Sequence, residues 1–188
     1  MFDRGIFLLA LLISPWPVGA QVVQFTNKDL WKQSVRSNYS TIHFTGLPHD
    51  TFVTGQYAFL GINFTGENLI TGPTPLFQDD SWGLFGPAGV RFNFDAPQYT
   101  VAVDYPGAVR FQLYNKGSLI FTSSFFQPGG LGNFAGLVSE RPFDEVYVYK
   151  SISPNIVYID NLHWGTIPAP GGIALLIVGG VSSSRRRI

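Results

Sequence analysis

Few side chains in this chain have the types and spacing that catalysis needs. His43, His49 and His163 stand far apart, and none belongs to an H-E-x-x-H or comparable ligand pattern. There is no cysteine, which removes disulfide frameworks and thiolate zinc sites. Neither a Gly-x-Ser-x-Gly elbow nor a phosphate-binding loop occurs. Carboxylates such as Glu67, Glu140 and Glu145 are present, but glycoside hydrolysis needs two that face each other across a cleft. Nothing in the spacing pairs any two, so no catalytic residue is assigned.

Two stretches carry more chemistry. In "FQDDSWGLFGPAG", Asp79 and Asp80 stand beside Trp82 in a glycine-rich loop. Carboxylates accept hydroxyl protons and a ring face packs on a sugar's C–H face, so this trio suits a saccharide. The same residues also suit a lid that closes the end of a sandwich. In "NIVYIDNLHW", alternation puts Asp160 on the face of Ile156, Tyr158, Leu162 and Trp164. A carboxylate among such neighbours needs a partner, because an unpaired buried charge is costly. Hydrogen-bond donors would serve, and so would a structural calcium ion, with Asn27, Asp29 and Asn161 as the first co-ligands to consider.

The elements that must position these residues are mostly strands. One helix is expected near the start, where Thr26 and Asp29 have capping-box spacing and Leu30, Trp31, Ser34 and Val35 recur at helical intervals. Trp31 is expected to plug the end of the core. After it, "STIHFTG", "YAFLGINF", "VRFNFD", "QYTVAVDY", "AVRFQLY", "SLIFTSSFF", "GNFAGLVS", "DEVYVYKS" and "NIVYIDNLHW" are short, rich in β-branched and aromatic residues, and punctuated by Gly, Pro, Asn or Asp. In "AVRFQLY", Val109, Phe111 and Leu113 point to one side and Arg110, Gln112 and Tyr114 to the other. A three-residue loop at Asn115-Lys116-Gly117 would set Leu113 opposite Leu119 and Phe111 opposite Phe121. A tight turn at Pro106-Gly107 would put the two faces out of phase, so a longer connection, a bulge or a crossing to a second sheet is expected there. The fold class is all-β: an antiparallel two-sheet sandwich, jelly-roll-like, with one short N-terminal helix.

The chain has 188 residues and balanced formal charge, without the basic face that nucleic acid requires. Residues 21–166 hold eight Lys or Arg against eleven Asp or Glu, so this domain is mildly acidic. The ends differ in character. Residues 1–20 have a charged start, an apolar run from Ile6 to Ile13, two prolines and a Val18-Gly19-Ala20 cleavage pattern, which together read as a signal peptide removed by signal peptidase. Residues 167–188 begin with Pro168-Ala169-Pro170, continue with an apolar segment from Gly171 to Val181 expected to be helical, and end in Arg185-Arg186-Arg187. That segment can enter a bilayer while its arginines stay on the cytoplasmic side.

This tail resembles the PEP-CTERM sorting signal of Gram-negative bacteria, in which a Pro-Glu-Pro motif precedes a hydrophobic helix and an arginine cluster; Ala169 stands where glutamate is usual. The resemblance implies transient association with the inner membrane and processing by an exosortase-type sorting enzyme, with the cargo delivered to the cell surface beside exopolysaccharide. "TIHFTGLPHDTFVTGQYAFLGINFTG" and "FDEVYVYKSISPNIVYIDNLHWG" are similar to the opening and closing strands of many cargo domains of this class. The reading is an exported surface or matrix protein, non-enzymatic, adhesive or glycan-binding. Its rivals are a purely structural matrix component and a secreted glycan-active enzyme.

Overall fold

The computed structural model describes residues 21–36, 38–77, 81–127, 130, 132–150 and 152–166. The leader, the C-terminal segment with its expected helix, and the motif residues Pro168, Ala169, Pro170, Arg185, Arg186 and Arg187 lie outside them, as do Asp79 and Asp80. The described chain is mostly β, in two antiparallel sheets with one short N-terminal helix. Among the described residues no helix is long and apolar enough to cross a membrane.

The strands are β1 (Val22–Phe25), β2 (Ser40–Ile42), β3 (Ile62–Thr65), β4 (Leu69–Thr71), β5 (Gly83–Gly86), β6 (Val90–Tyr105), β7 (Arg110–Asn115), β8 (Ser118–Thr122), β9 (Asn133–Tyr149), β10 (Val157–Ile159) and β11 (Leu162–Gly165). Two of them replace four expected ones. "VRFNFD" and "QYTVAVDY" form the single long strand β6, and "GNFAGLVS" and "DEVYVYKS" form β9. Both strands bend where their pairing register shifts, between Asn93 and Thr100 on β6. Pro97 lies at this bend, and Pro142 lies opposite on β9. A proline withholds a ladder donor without ending a strand at an irregularity.

Each long strand therefore serves two neighbourhoods. The first half of β6 pairs with β3 and with the last part of β9, which continues to β7 and β8. Its second half pairs with β11 and with the start of β9, flanked by β2 and β1. The small sheet runs β10-β5-β4. Its inner row, Ile70, Leu84 and Ile159, joins the same core as Phe92, Phe94, Phe111, Phe143 and Trp164 of the large sheet. Two sheets sharing one apolar core make a β-sandwich. Strands β6 and β7 are not neighbours, because both flank β9. No tight hairpin forms at Pro106-Gly107, as the phase of the flanking residues requires.

Several local expectations differ. The first half of "YAFLGINF" is a 3-10 turn over Ala58–Leu60, with Phe59 and Leu60 exposed. The glycine-rich loop around Trp82 contains strand β5, where a Cβ on Gly83 would sit 2.3 Å from the Phe77 ring and 2.5 Å from the Ile159 carbonyl oxygen. The β7–β8 hairpin closes through two residues, Lys116 and Gly117, both at positive φ (50° and 75°), which is the primed turn that matches strand twist. Leu113 then faces Phe121 and Tyr114 faces Leu119, so the expected pairing of Leu113 with Leu119 and of Phe111 with Phe121 does not occur. The cause lies across the sheet, where both carboxylate oxygens of Asp144 accept from the Lys116 N–H at 3.0 Å and hold it in the left-handed region.

Helix α1 (Lys28–Val35) is capped by Asn27 rather than by Thr26: the Asn27 Oδ1 accepts from the Leu30 N–H at 3.0 Å. Its buried Trp31 and Val35 do not plug the end of the main core. They form a second cluster with Ala102, Phe134 and Val138 on the other face of the large sheet. That segment is buried on both sides, which is why Thr100–Tyr105 loses the alternation of a half-wet strand. Gly136 makes room for the indole; a Cβ there would stand 2.6 Å from Trp31 Cδ1.

Candidate functional site

The sequence-singled residues fall in different places. Trp82 precedes β5 and packs, half-buried, against the main core. Asn27 spends its side-chain oxygen on the helix cap, and Asp29 is exposed in the first turn. Asp160 and Asn161 occupy the point where the chain leaves the small sheet for the large one. Asp104 alone meets both through its backbone: its N–H donates to the Asn161 carbonyl at 3.0 Å, and its carbonyl accepts from the Asp160 N–H at 2.8 Å. Two residues opposing one is bulge geometry, which interrupts alternation. Asp160 is therefore buried among polar groups, not on a continuous face with Tyr158 and Trp164.

Asp104, absent from the sequence-based candidates, organises this corner. Its Oδ2 accepts from Lys28 Nζ at 2.6 Å and from the Asn161 amide at 2.7 Å, while His163 Nε2 stands 3.8 Å away. His163 in turn meets Thr41 Oγ1 through Nδ1 at 2.8 Å, and His43 Nδ1 meets Asn161 Oδ1. Burial pushes the Asp104 carboxyl up, but His163, Lys28 and Asn161 together outweigh it and hold it below the usual carboxylate range. Asp160 goes the other way. Burial raises it and the Asp104 charge adds to that, against a partial offset from the Ser81 hydroxyl. Burial also keeps His163 below the ordinary imidazole value, more strongly than Asp104 lifts it. Among the described residues no group of three or more His, Asp or Glu side chains is placed to hold a metal ion. The cation recorded beside this pair of carboxylates is the Lys28 ammonium, delivered by the first residue of α1.

A cleft lies nearby, at the ends of β1, β6 and β8 and the start of β9. It has a volume of about 450 Å³. Its lining includes four aromatic residues, the half-buried Phe125 and the buried Tyr105, Phe126 and Phe134, with the amides and hydroxyls of Gln24, Thr26, Ser124, Gln127 and Asn133; among the described residues no charged side chain lines it. Some of these groups are held in place. The Tyr105 hydroxyl donates to the Gln127 carbonyl at 3.0 Å, and the Gln24 amide bridges the Ser124 backbone and hydroxyl at 2.8 and 3.3 Å. The amide nitrogen of Asn133 is buried and has no hydrogen-bond partner among the described residues. A buried donor without an acceptor is uncommon and asks for one. The cleft escapes a reading of the sequence because its residues come from four separate segments, and each segment alone reads as an ordinary strand end.

No protein-family model matches the chain, and no curated protein is similar to it. Among solved structures it is similar to a carbohydrate-binding module of family 29, at 16% identity and a TM-score of 0.36, over 68% of this chain and 88% of that one. It is also similar to the Agl-KA catalytic domain, at 11% identity and a TM-score of 0.36, over 74% of this chain and 35% of that one. A family 51 carbohydrate-binding module from Clostridium perfringens, in complex with methyl-galactose, overlaps at 12% identity and a TM-score of 0.26, over 66% of this chain and 99% of that one. These overlaps are partial, and the chemistry of the site rests on its own residues.

Proposed function

We propose that residues 21–166 form a jelly-roll-like, non-enzymatic module that binds an uncharged saccharide in the cleft floored by Tyr105, Phe125, Phe126 and Phe134. The observation that carries the reading is the lining: aromatic rings for C–H faces, amides and hydroxyls for sugar hydroxyls, and no charge among the described residues. In this reading the Asn133 side chain, which lines the cleft and whose buried amide nitrogen has no hydrogen-bond partner among the described residues, turns toward the ligand to donate to one of its oxygens. A polysaccharide pull-down followed by calorimetry tests it. Retention on a neutral glycan, weakened about tenfold or more by Asn133→Ala or Phe125→Ala and unchanged by Trp82→Ala, supports the cleft. Absence of retention on any polysaccharide favours the structural matrix component instead.

The two ends of the chain fit export. In this reading signal peptidase cuts after Ala20, and a sorting enzyme of the exosortase type acts near Pro168-Ala169-Pro170, with Arg185, Arg186 and Arg187 retained on the cytoplasmic side. The domain then works at the cell surface or outside the cell, where exopolysaccharide is the available glycan.

A further inference from the structure

A second cleft, of about 370 Å³, lies between the connection from β6 to β7 and the connection from β9 to β10. Its chemistry differs from that of the first. Leu76, Pro106, Ala108, Ile156 and Tyr158 make its walls largely apolar, and Lys150 is its one charged residue among the described residues. The Tyr158 ring is fixed by Phe85 and Phe77, with centroids 5.1 and 6.4 Å away, so the rim is already formed. The Lys150 backbone N–H donates to Asn155 Oδ1 at 2.7 Å, whereas its ammonium has no ion pair or hydrogen bond among the described residues.

From this pairing of apolar walls with a free ammonium, we propose that the cleft binds a free fatty acid, with the acyl chain against Leu76, Ile156 and Tyr158 and the carboxylate on Lys150. A saccharide fits poorly, because its hydroxyls would leave water for walls that offer few partners. An uncharged hydrocarbon would leave the ammonium unanswered, and a carboxylate forms the charge-assisted hydrogen bonds that ammonium groups favour.

The test uses the full chain, titrated with laurate below its micelle concentration and with dodecanol as the uncharged counterpart. We expect one laurate per chain, weakened about tenfold or more by Lys150→Gln with the weaker dodecanol binding unchanged. Leu76 is 43% exposed, so Leu76→Glu tolerates the fold while setting a like charge at the mouth, and it is expected to weaken laurate as well. No uptake of laurate, dodecanol binding as tight as laurate, or equal laurate affinity in wild type and both variants overturns the proposal. Saccharide binding at the first cleft is expected to be unaffected by either variant, so the two sites fail or stand separately.

Discussion

At the scale of single residues, the Asp104 corner shows how a buried carboxylate is made tolerable. Its charge is answered by the ammonium of Lys28, itself about one-third exposed, and by the Asn161 amide. Removing the ammonium with Lys28→Met leaves Asp104 with one direct side-chain donor. A loss of about 1–2 kcal/mol is expected in denaturant unfolding, the partial exposure of Lys28 keeping it below the figure for a fully buried pair. His163 gives a pH dependence of definite sign. Its folded value lies below 6.5, so the unfolded chain binds more protons just below that pH. Stability is then full above 6.5 and is lost as pH falls toward the folded value. Asp104, also lowered, has the same sign at more acidic pH, while Asp160, raised, contributes in the opposite sense. The melting temperature should therefore drop from about pH 7 to about pH 5, and drop less in His163→Gln. Equal slopes in the two proteins would remove His163 from the account. Asp160 drew notice in the sequence because it interrupts an apolar run. Asp104 did not, since "VDY" at the end of a strand reads as its ordinary polar close.

At the scale of elements, α1 seals the outer face of the large sheet. Trp31 is fully buried there, with Phe134 at 5.6 Å and Tyr39 at 5.1 Å between ring centroids. Trp31→Ala should cost about 3–5 kcal/mol, and Gly136→Ala should also destabilise by pressing a methyl on the indole. If Trp31→Ala unfolds at the wild-type denaturant midpoint, the helix is not part of the cooperative unit. The helix and most strands were legible from periodicity, as in Val109, Phe111 and Leu113 against Arg110, Gln112 and Tyr114. What periodicity could not carry was continuity through a bend. Asp95-Ala96-Pro97 and Arg141-Pro142 look like turns, yet β6 and β9 continue through the bend there, where the pairing register shifts. Register was also out of reach at the β7–β8 hairpin, where Asp144, far along the chain, selects the turn.

At the scale of the molecule, the sandwich places two clefts of unlike chemistry among its loops, one lined by aromatic and uncharged polar residues, the other by apolar residues and Lys150. The termini supply the wider reading. Mass spectrometry of the product from an exporting Gram-negative host should find a chain beginning near Gln21 and ending near Pro168–Pro170. An intact polypeptide in the cytosol would contradict export and remove exopolysaccharide as the partner. The candidate loop with Trp82 and the observed cleft share a principle, rings beside polar groups, but the sequence brought only neighbours in the chain to notice. The cleft is assembled from Gln24, Tyr105, Phe125 and Asn133, which the topology of β1, β6 and β9 brings together.

The most direct measurement is a calorimetric titration of the full chain with a neutral exopolysaccharide fragment, beside the Asn133→Ala and Phe125→Ala variants. Saturable binding is expected, weakened about tenfold or more by both substitutions, with melting temperatures near wild type. Binding of equal strength in all three proteins, or none in the wild type, would contradict it.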